Sequence, residues 1–179
     1  MHISWGDGLE AGRIHIGAAG TPLEAGVFIS SSLLLSHGVR QGVLAAVRLG
    51  ARWILARSSD VRRLYPDADS LEGWVKAVLR GRPLGASLIQ GGVRDVMSYI
   101  GVKPEELLCV DYAGGGVWRD EEKLAAYRRA VYGDKLCSEA GAAERVYTPA
   151  PLNVAPALVN IVWDRVDAGL GIPGPCRKC

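Results

Sequence analysis

Asp111 and Asp134 stand where two strands are expected to end, and they are the chain's candidate general bases. A carboxylate there can accept a proton directly or through one water, if the reacting atom lies within hydrogen-bond reach. Asp after a strand more often braces a turn, and that reading carries the greater weight. His37 follows an apolar helical stretch and adjoins Gly38. A cation there complements the negative end of a helix, so a structural role is expected for it. The cations are mostly arginine, 16 against 5 lysines. A guanidinium can hold a phosphate through two parallel hydrogen bonds and can stack on a base, which an ammonium cannot do. Arg13 and Arg40 flank one helical stretch and are candidate phosphate contacts, which Arg62-Arg63 and Arg128-Arg129 could extend. Solvated surface charge is the alternative for all of them.

The cysteines offer less. Cys176-Arg177-Lys178-Cys179 is a C-x-x-C, but it follows a Gly/Pro-rich stretch at the end of the sequence. A zinc site needs a second pair at similar spacing, which Cys109 and Cys137 do not form. A redox pair needs a helix start to lower its thiol pKa. The expectation is a flexible tail over residues 169–179 with exposed thiols, or a disulfide there if the source is a hyperthermophile. Asn and Gln total four and Met two, the depletion of heat-labile side chains that thermophily favours.

The elements that must position these residues come from the apolar periodicity. Residues 22–36 read as a largely buried helix, with Thr21 as cap, Pro22 in the first turn and Gly38 as C-terminal cap. Residues 43–49 and 53–56 read as two hairpin strands around Gly50. A second helix opens at 67–70 and presents Leu71, Trp74, Val75 and Val78 on one face, with Gly81 closing it. Residues 86–89, 107–110, 130–132 and 145–147 read as short strands. Helices are expected at 93–100, 121–127 and 153–166. Trp53, Trp74 and Trp163 are expected in the core or a subunit interface.

Strands alternating with helices predict an α/β fold with a mostly parallel sheet covered on both faces. Ligands in such sheets bind beyond the carboxyl ends of strands. That rule selects four loops: 90–92, 111–116, 133–136 and 148–153. Residues 1–168 fit one domain, and the net charge of only +2 excludes a chain that is an electrostatic clamp throughout. No apolar run reaches the ~20 residues of a membrane span, and Met1–Trp5 lacks the features of a signal peptide, so no membrane association and a cytoplasmic location are expected.

Several segments, in order, resemble one family. Ala11-Gly12-Arg13 with Leu35-Ser36-His37-Gly38-Val39-Arg40, then Leu64-Tyr65-Pro66-Asp67-Ala68-Asp69-Ser70, are similar to signatures of the archaeal methyltransferases that act on N1 of a pseudouridine in the tRNA T loop. These belong to the SPOUT superfamily of knotted RNA methyltransferases. Asp111–Asp120, Val131-Tyr132-Gly133-Asp134 and Thr148–Asp167 match later segments, so the resemblance spans about residues 10–167. It implies an α/β/α fold with a C-terminal trefoil knot, bound S-adenosylmethionine, a tRNA substrate and a homodimer with composite active sites. It places the cofactor at Tyr132, Gly133, Pro149, Ala150, Leu152 and Asn153, and RNA at Arg13 and Arg40. It names no catalytic residue. Lys135 stands where the family has His, Tyr132 where it has Leu, and Val154-Ala155-Pro156-Ala157 where it has a Ser-His-Cys group. Two alternatives stay open: a SPOUT-like RNA-binding dimer without catalysis, and a methyltransferase of this fold with another RNA target.

Overall fold

The computed structural model describes residues 12–36 and 38–172. Ala11, His37 and the Cys176/Cys179 pair lie outside them, so the readings made for those residues receive no structural account.

Seven strands form one sheet, β1 (Arg13–Ala19), β4 (Val43–Leu49), β5 (Arg52–Arg57), β6 (Ala86–Gln90), β7 (Leu108–Tyr112), β8 (Arg129–Tyr132) and β9 (Glu144–Thr148). A separate two-residue pair, β2 (Leu34–Leu35) with β3 (Gly38–Val39), follows the first helix. The sheet order is β6-β5-β4-β1-β8-β7-β9. All neighbours pair in parallel except at β5, which is antiparallel to both β4 and β6. The expected α/β class, the hairpin of β4 with β5 and the mostly parallel sheet are therefore present.

Helices α1 (Pro22–Leu33), α2 (Ala68–Leu79) and α5 (Ala155–Asp167) cover one face, with Phe28, Ile29, Trp74, Val159 and Trp163 in its core. Helices α3 (Val93–Ile100) and α4 (Asp134–Ala140) cover the other, over Ile16, Trp53, Val96 and Leu136. Burying both faces explains why β1, β4 and β8 are apolar nearly throughout rather than alternating. The three expected core tryptophans are buried, and each indole N–H finds a carbonyl: Trp53 to Gly91, Trp74 to Arg62 and Trp163 to Leu124. That satisfies the one polar atom each ring carries inward.

Four local expectations need correction. Residues 13–19, for which the sequence gives no strand expectation, form the central strand. Helix α1 stops at Leu33, not Ser36, and Gly38 is not its cap; it pairs with Leu35 in the small hairpin, and Arg40 N–H takes the Leu33 carbonyl at 2.7 Å. The 121–127 helix is a 3₁₀ segment, Glu121–Ala126. Residues 134–140, read partly as a loop, make the seven-residue helix α4, whose buried Leu136, Cys137 and Ala140 are too few to announce it. Cys137 is joined to Cys109 in β7 by a disulfide buried between helix and sheet. Their spacing in the sequence does not by itself assign this pair.

The connection from β7 to β8 takes an outer route. Arg119 and Tyr147 exchange both backbone hydrogen bonds at 3.0 Å, so the connection runs along the far edge of β9. It then crosses to the α5 face, where the Leu124 carbonyl accepts the Trp163 indole N–H.

Candidate functional site

Six strands deliver connections to one edge of the sheet: β1 at Gly20, β4 at Gly50, β6 at Gly91, β7 at Ala113, β8 at Gly133 and β9 at Pro149. All four sequence-selected loops lie at this carboxyl edge. At the ends of β1, β4 and β8 a cavity of about 250 Å³ opens there, with Leu152 of the loop after β9 on one side. Its apolar walls are Ala18, Phe28, Leu136 and Leu152, and its charged rim is Arg48, Asp134 and Lys135.

Tyr132 and Gly133 both line it. Gly133 has φ 96°, a conformation L side chains rarely adopt, and a Cβ there would come within 3.2 Å of Leu152 Cδ1. The backbone is therefore bare where it faces the cavity. Of the four residues expected from the β9 loop, Leu152 lines the cavity; Pro149, Ala150 and Asn153 belong to the same loop outside the lining.

The Tyr132 hydroxyl is taken up by a buried partner. That group lies 2.6 Å from His15 Nδ1, and both side chains are buried. Asn160 Nδ2 donates to the Ser32 carbonyl, which leaves Asn160 Oδ1 as the acceptor facing His15 Nε2 at 3.2 Å. Nε2 therefore carries the imidazole proton, and Nδ1 accepts from the Tyr132 hydroxyl. Burial holds the His15 pKa down to about 3; the Asn160 hydrogen bond opposes this, and the charges of Arg13 and Arg40 reinforce it. Burial likewise raises the Tyr132 phenol well above its ordinary range. The two rings are a neutral pair at physiological pH. An isolated His flanked by Ile14 and Ile16 was the only sign of it in the sequence.

Asp111 and Asp134 converge on one cation. Arg145 in β9 reaches Asp111 at 2.9 Å and Asp134 at 2.7 Å. Each carboxylate keeps further acceptor sites, but neither stands alone as a base. Arg48 on the rim pairs with Glu139 at 2.9 Å.

Arg13 and Arg40 sit at the opposite, amino edge. Strand β1 separates them from the Gly133 cavity by on the order of 20 Å. Arg13 bonds Asp164 and Asp167, each at 2.7 Å, and Arg40 bonds Asp164 at 2.6 Å. Arg128 completes the cluster on Asp167 at 2.5 Å. Burial would raise the Asp164 carboxyl, yet hydrogen bonds from Arg40 and Arg13 outweigh it and the pKa falls. Asp167 is lowered chiefly by Arg128. The candidate RNA arginines and the candidate cofactor loop are thus not brought together within one chain. The cluster borders a separate cavity of about 610 Å³.

Among the described residues no group of His, Cys, Asp and Glu could hold a metal ion, and no helix is long and apolar enough to cross a membrane. No protein-family model and no curated protein sequence matches the chain.

Proposed function

We propose that this protein is an S-adenosylmethionine-dependent RNA methyltransferase of SPOUT type, acting in the cytoplasm as a homodimer on N1 of a pseudouridine in the tRNA T loop. The observation that carries the reading is Gly133: a bare, positive-φ backbone position at the carboxyl end of a parallel strand, opening on a cavity with apolar walls and a charged rim. That is where α/β sheets bind ligands. The residues fit the cofactor in kind: Phe28, Leu136 and Leu152 suit an adenine face, and Lys135 on the rim suits a carboxylate. The cavity is smaller than the ~300–1,000 Å³ usual for small-molecule sites, so part of the cofactor would lie outside it. The cofactor, when bound, supplies an electrophilic methyl group. This chain's residues would exclude water from it and orient the nucleotide, a contribution worth up to ~7–11 kcal/mol where alignment is ideal.

The knotted topology belongs to the proposal too. The β7–β8 connection flanks β9 on its outer edge and also contacts α5, as a loop would if the C-terminal strand and helix passed through it. The Cys109–Cys137 disulfide sits in a protein read as cytoplasmic, which is unusual outside hyperthermophiles. It agrees with the low Asn, Gln and Met content.

A second reading, a SPOUT-like RNA-binding dimer without catalysis, draws on Arg145, which engages both candidate base carboxylates. Calorimetry with S-adenosylmethionine separates the two. Saturable binding supports the enzyme, and no heat at millimolar cofactor removes it. Mass spectrometry of tRNA incubated with protein and cofactor then reads the target. A methyl group elsewhere than the T loop would move the assignment to another RNA.

A further inference from the structure

Arg52, Arg62, Arg63, Arg80 and Arg82 are exposed, and none forms an ion pair among the described residues. They are distant in sequence but share one side of the molecule. The Arg52 guanidinium donates to the Leu79 carbonyl at 3.3 Å, next to Arg80. Arg82 N–H bonds Ala77, and Arg62 N–H bonds Leu84 at 3.0 Å, two residues beyond Arg82. The Trp74 indole holds the Arg62 carbonyl at 2.9 Å. Residues 51–92 carry seven cations against four carboxylates, a net +3, while the rest of a chain with net charge +2 carries −1. Three of those four carboxylates are engaged, Asp60 with Ser59, Asp67 in capping α2 and Glu72 with Lys76.

The surface also has shape. A polar cleft of about 510 Å³ lies between residues 59–62 and 83–87, with Arg62, Ser59 and Ser87 in its lining. Its walls are locked together: Gly85 has φ 81°, and a Cβ there would fall 1.8 Å from the Asp60 carbonyl oxygen. Asp60 also lines the cleft, and its carboxylate accepts the Ser59 hydroxyl at 2.9 Å. Tyr65, 57% exposed, stands two residues past Arg63 and offers a stacking face.

We infer that this arginine surface, on the start of β5 and the segments that precede and follow α2, binds an RNA backbone and is the chain's principal RNA-gripping face, in place of Arg13 and Arg40. The inference rests on the proposed function for its choice of RNA. Arginine in place of lysine suits bidentate phosphate contact, and an exposed tyrosine suits an unpaired base. A membrane would instead select an apolar rim beside the cations. The amino-edge arginines are already spent on Asp164 and Asp167. The cleft lies beside β6 at the amino edge of the sheet, four strand spacings across and about one strand length along from the Gly133 cavity, on the order of 25 Å in all, so RNA held here leaves that cavity open.

The test is fluorescence anisotropy of a labelled tRNA transcript over a salt series, with wild type and the triple variant Arg62→Gln, Arg63→Gln, Arg82→Gln. Each lost phosphate contact should flatten the log K against log salt slope by about 0.7–0.9, so a reduction of about 2 or more and a roughly tenfold or greater loss of affinity are expected. The triple Arg→Lys variant should keep most of the slope. An unchanged slope and affinity in the Gln variant, or binding to anionic phosphatidylserine vesicles with none to tRNA, would overturn the inference. S-adenosylmethionine calorimetry on the same samples keeps the two ideas apart. A lost slope without cofactor binding leaves the RNA surface standing while methyl transfer falls.

Discussion

The Tyr132 hydroxyl lies 2.6 Å from His15 Nδ1 in a fully enclosed pair that ties β8 to β1 immediately beneath the Gly133 turn. The tyrosine that closes the candidate cofactor strand is thus anchored by a histidine 117 positions earlier in the chain. The pair is neutral, and its stability is linked to pH.

His15 titrates near 6.5 when unfolded and near 3 in the fold, where burial opposes its charge. The unfolded chain therefore binds the extra proton first as pH falls. The contribution of neutral His15 is complete above about pH 6.5 and is lost progressively toward about pH 3. At ~1.4 kcal/mol per pH unit, urea unfolding at pH 4.5 should show about 2–3 kcal/mol less stability than at pH 7. His15→Gln should flatten the profile between pH 4.5 and 6.5. Asp164 and Asp167, lowered from 3.8, act only below that window. An equally steep profile in the variant would remove His15 as the cause.

Substitution at Gly133 separates strain from occlusion. Gly133→Ala should cost about 1–3 kcal/mol for its backbone conformation, with added contact against Leu152 that Leu152→Ala relieves. Gly133→Trp should abolish S-adenosylmethionine binding by calorimetry. A Trp variant that binds the cofactor normally would show that the pocket lies elsewhere.

The Cys109–Cys137 bridge closes 28 residues that include β8 and the start of α4. Replacing both cysteines with Ala should lower stability by about 3–4 kcal/mol, or roughly 10 °C in Tm. Scanning calorimetry of the oxidised protein against the double variant reads this directly. A change under ~2 °C would mean that packing alone secures α4.

Asp164 is shared by Arg13 and Arg40, whose side chains are only 15% and 12% exposed. Asp164→Asn should cost about 1–2 kcal/mol, because two mostly enclosed guanidiniums lose their common partner while the carboxylate itself is well solvated. Arg13 keeps Asp167, so most of the loss falls on Arg40, whose Nε is buried without a hydrogen-bond partner. Thermal denaturation at low and high salt checks it. No measurable loss at either would show that solvent screens the cluster.

Periodicity alone determined the fold class, most of the helices and strands, and the edge of the sheet where loops gather. Apolar spacing and glycine punctuation are local signals, and the two-face burial of a parallel sheet amplifies them. The same logic selected the loop that begins at Gly133, whereas its reading as a cofactor position comes from the family resemblance. Tertiary structure decided the partners. His15 meets Asn160 and Tyr132, Cys109 meets Cys137, and Arg145 meets both Asp111 and Asp134 only because strand order brings distant segments side by side. Sheet order departs from chain order at β1, β7, β8 and β9, and no local pattern encodes that. It also set the fate of the arginines: Arg13 and Arg40 pair with the acidic end of α5, whereas Arg62, Arg63 and Arg82 form no ion pair among the described residues. Residue type supplied the guanidinium, and the fold chose which ones remain open to a phosphate.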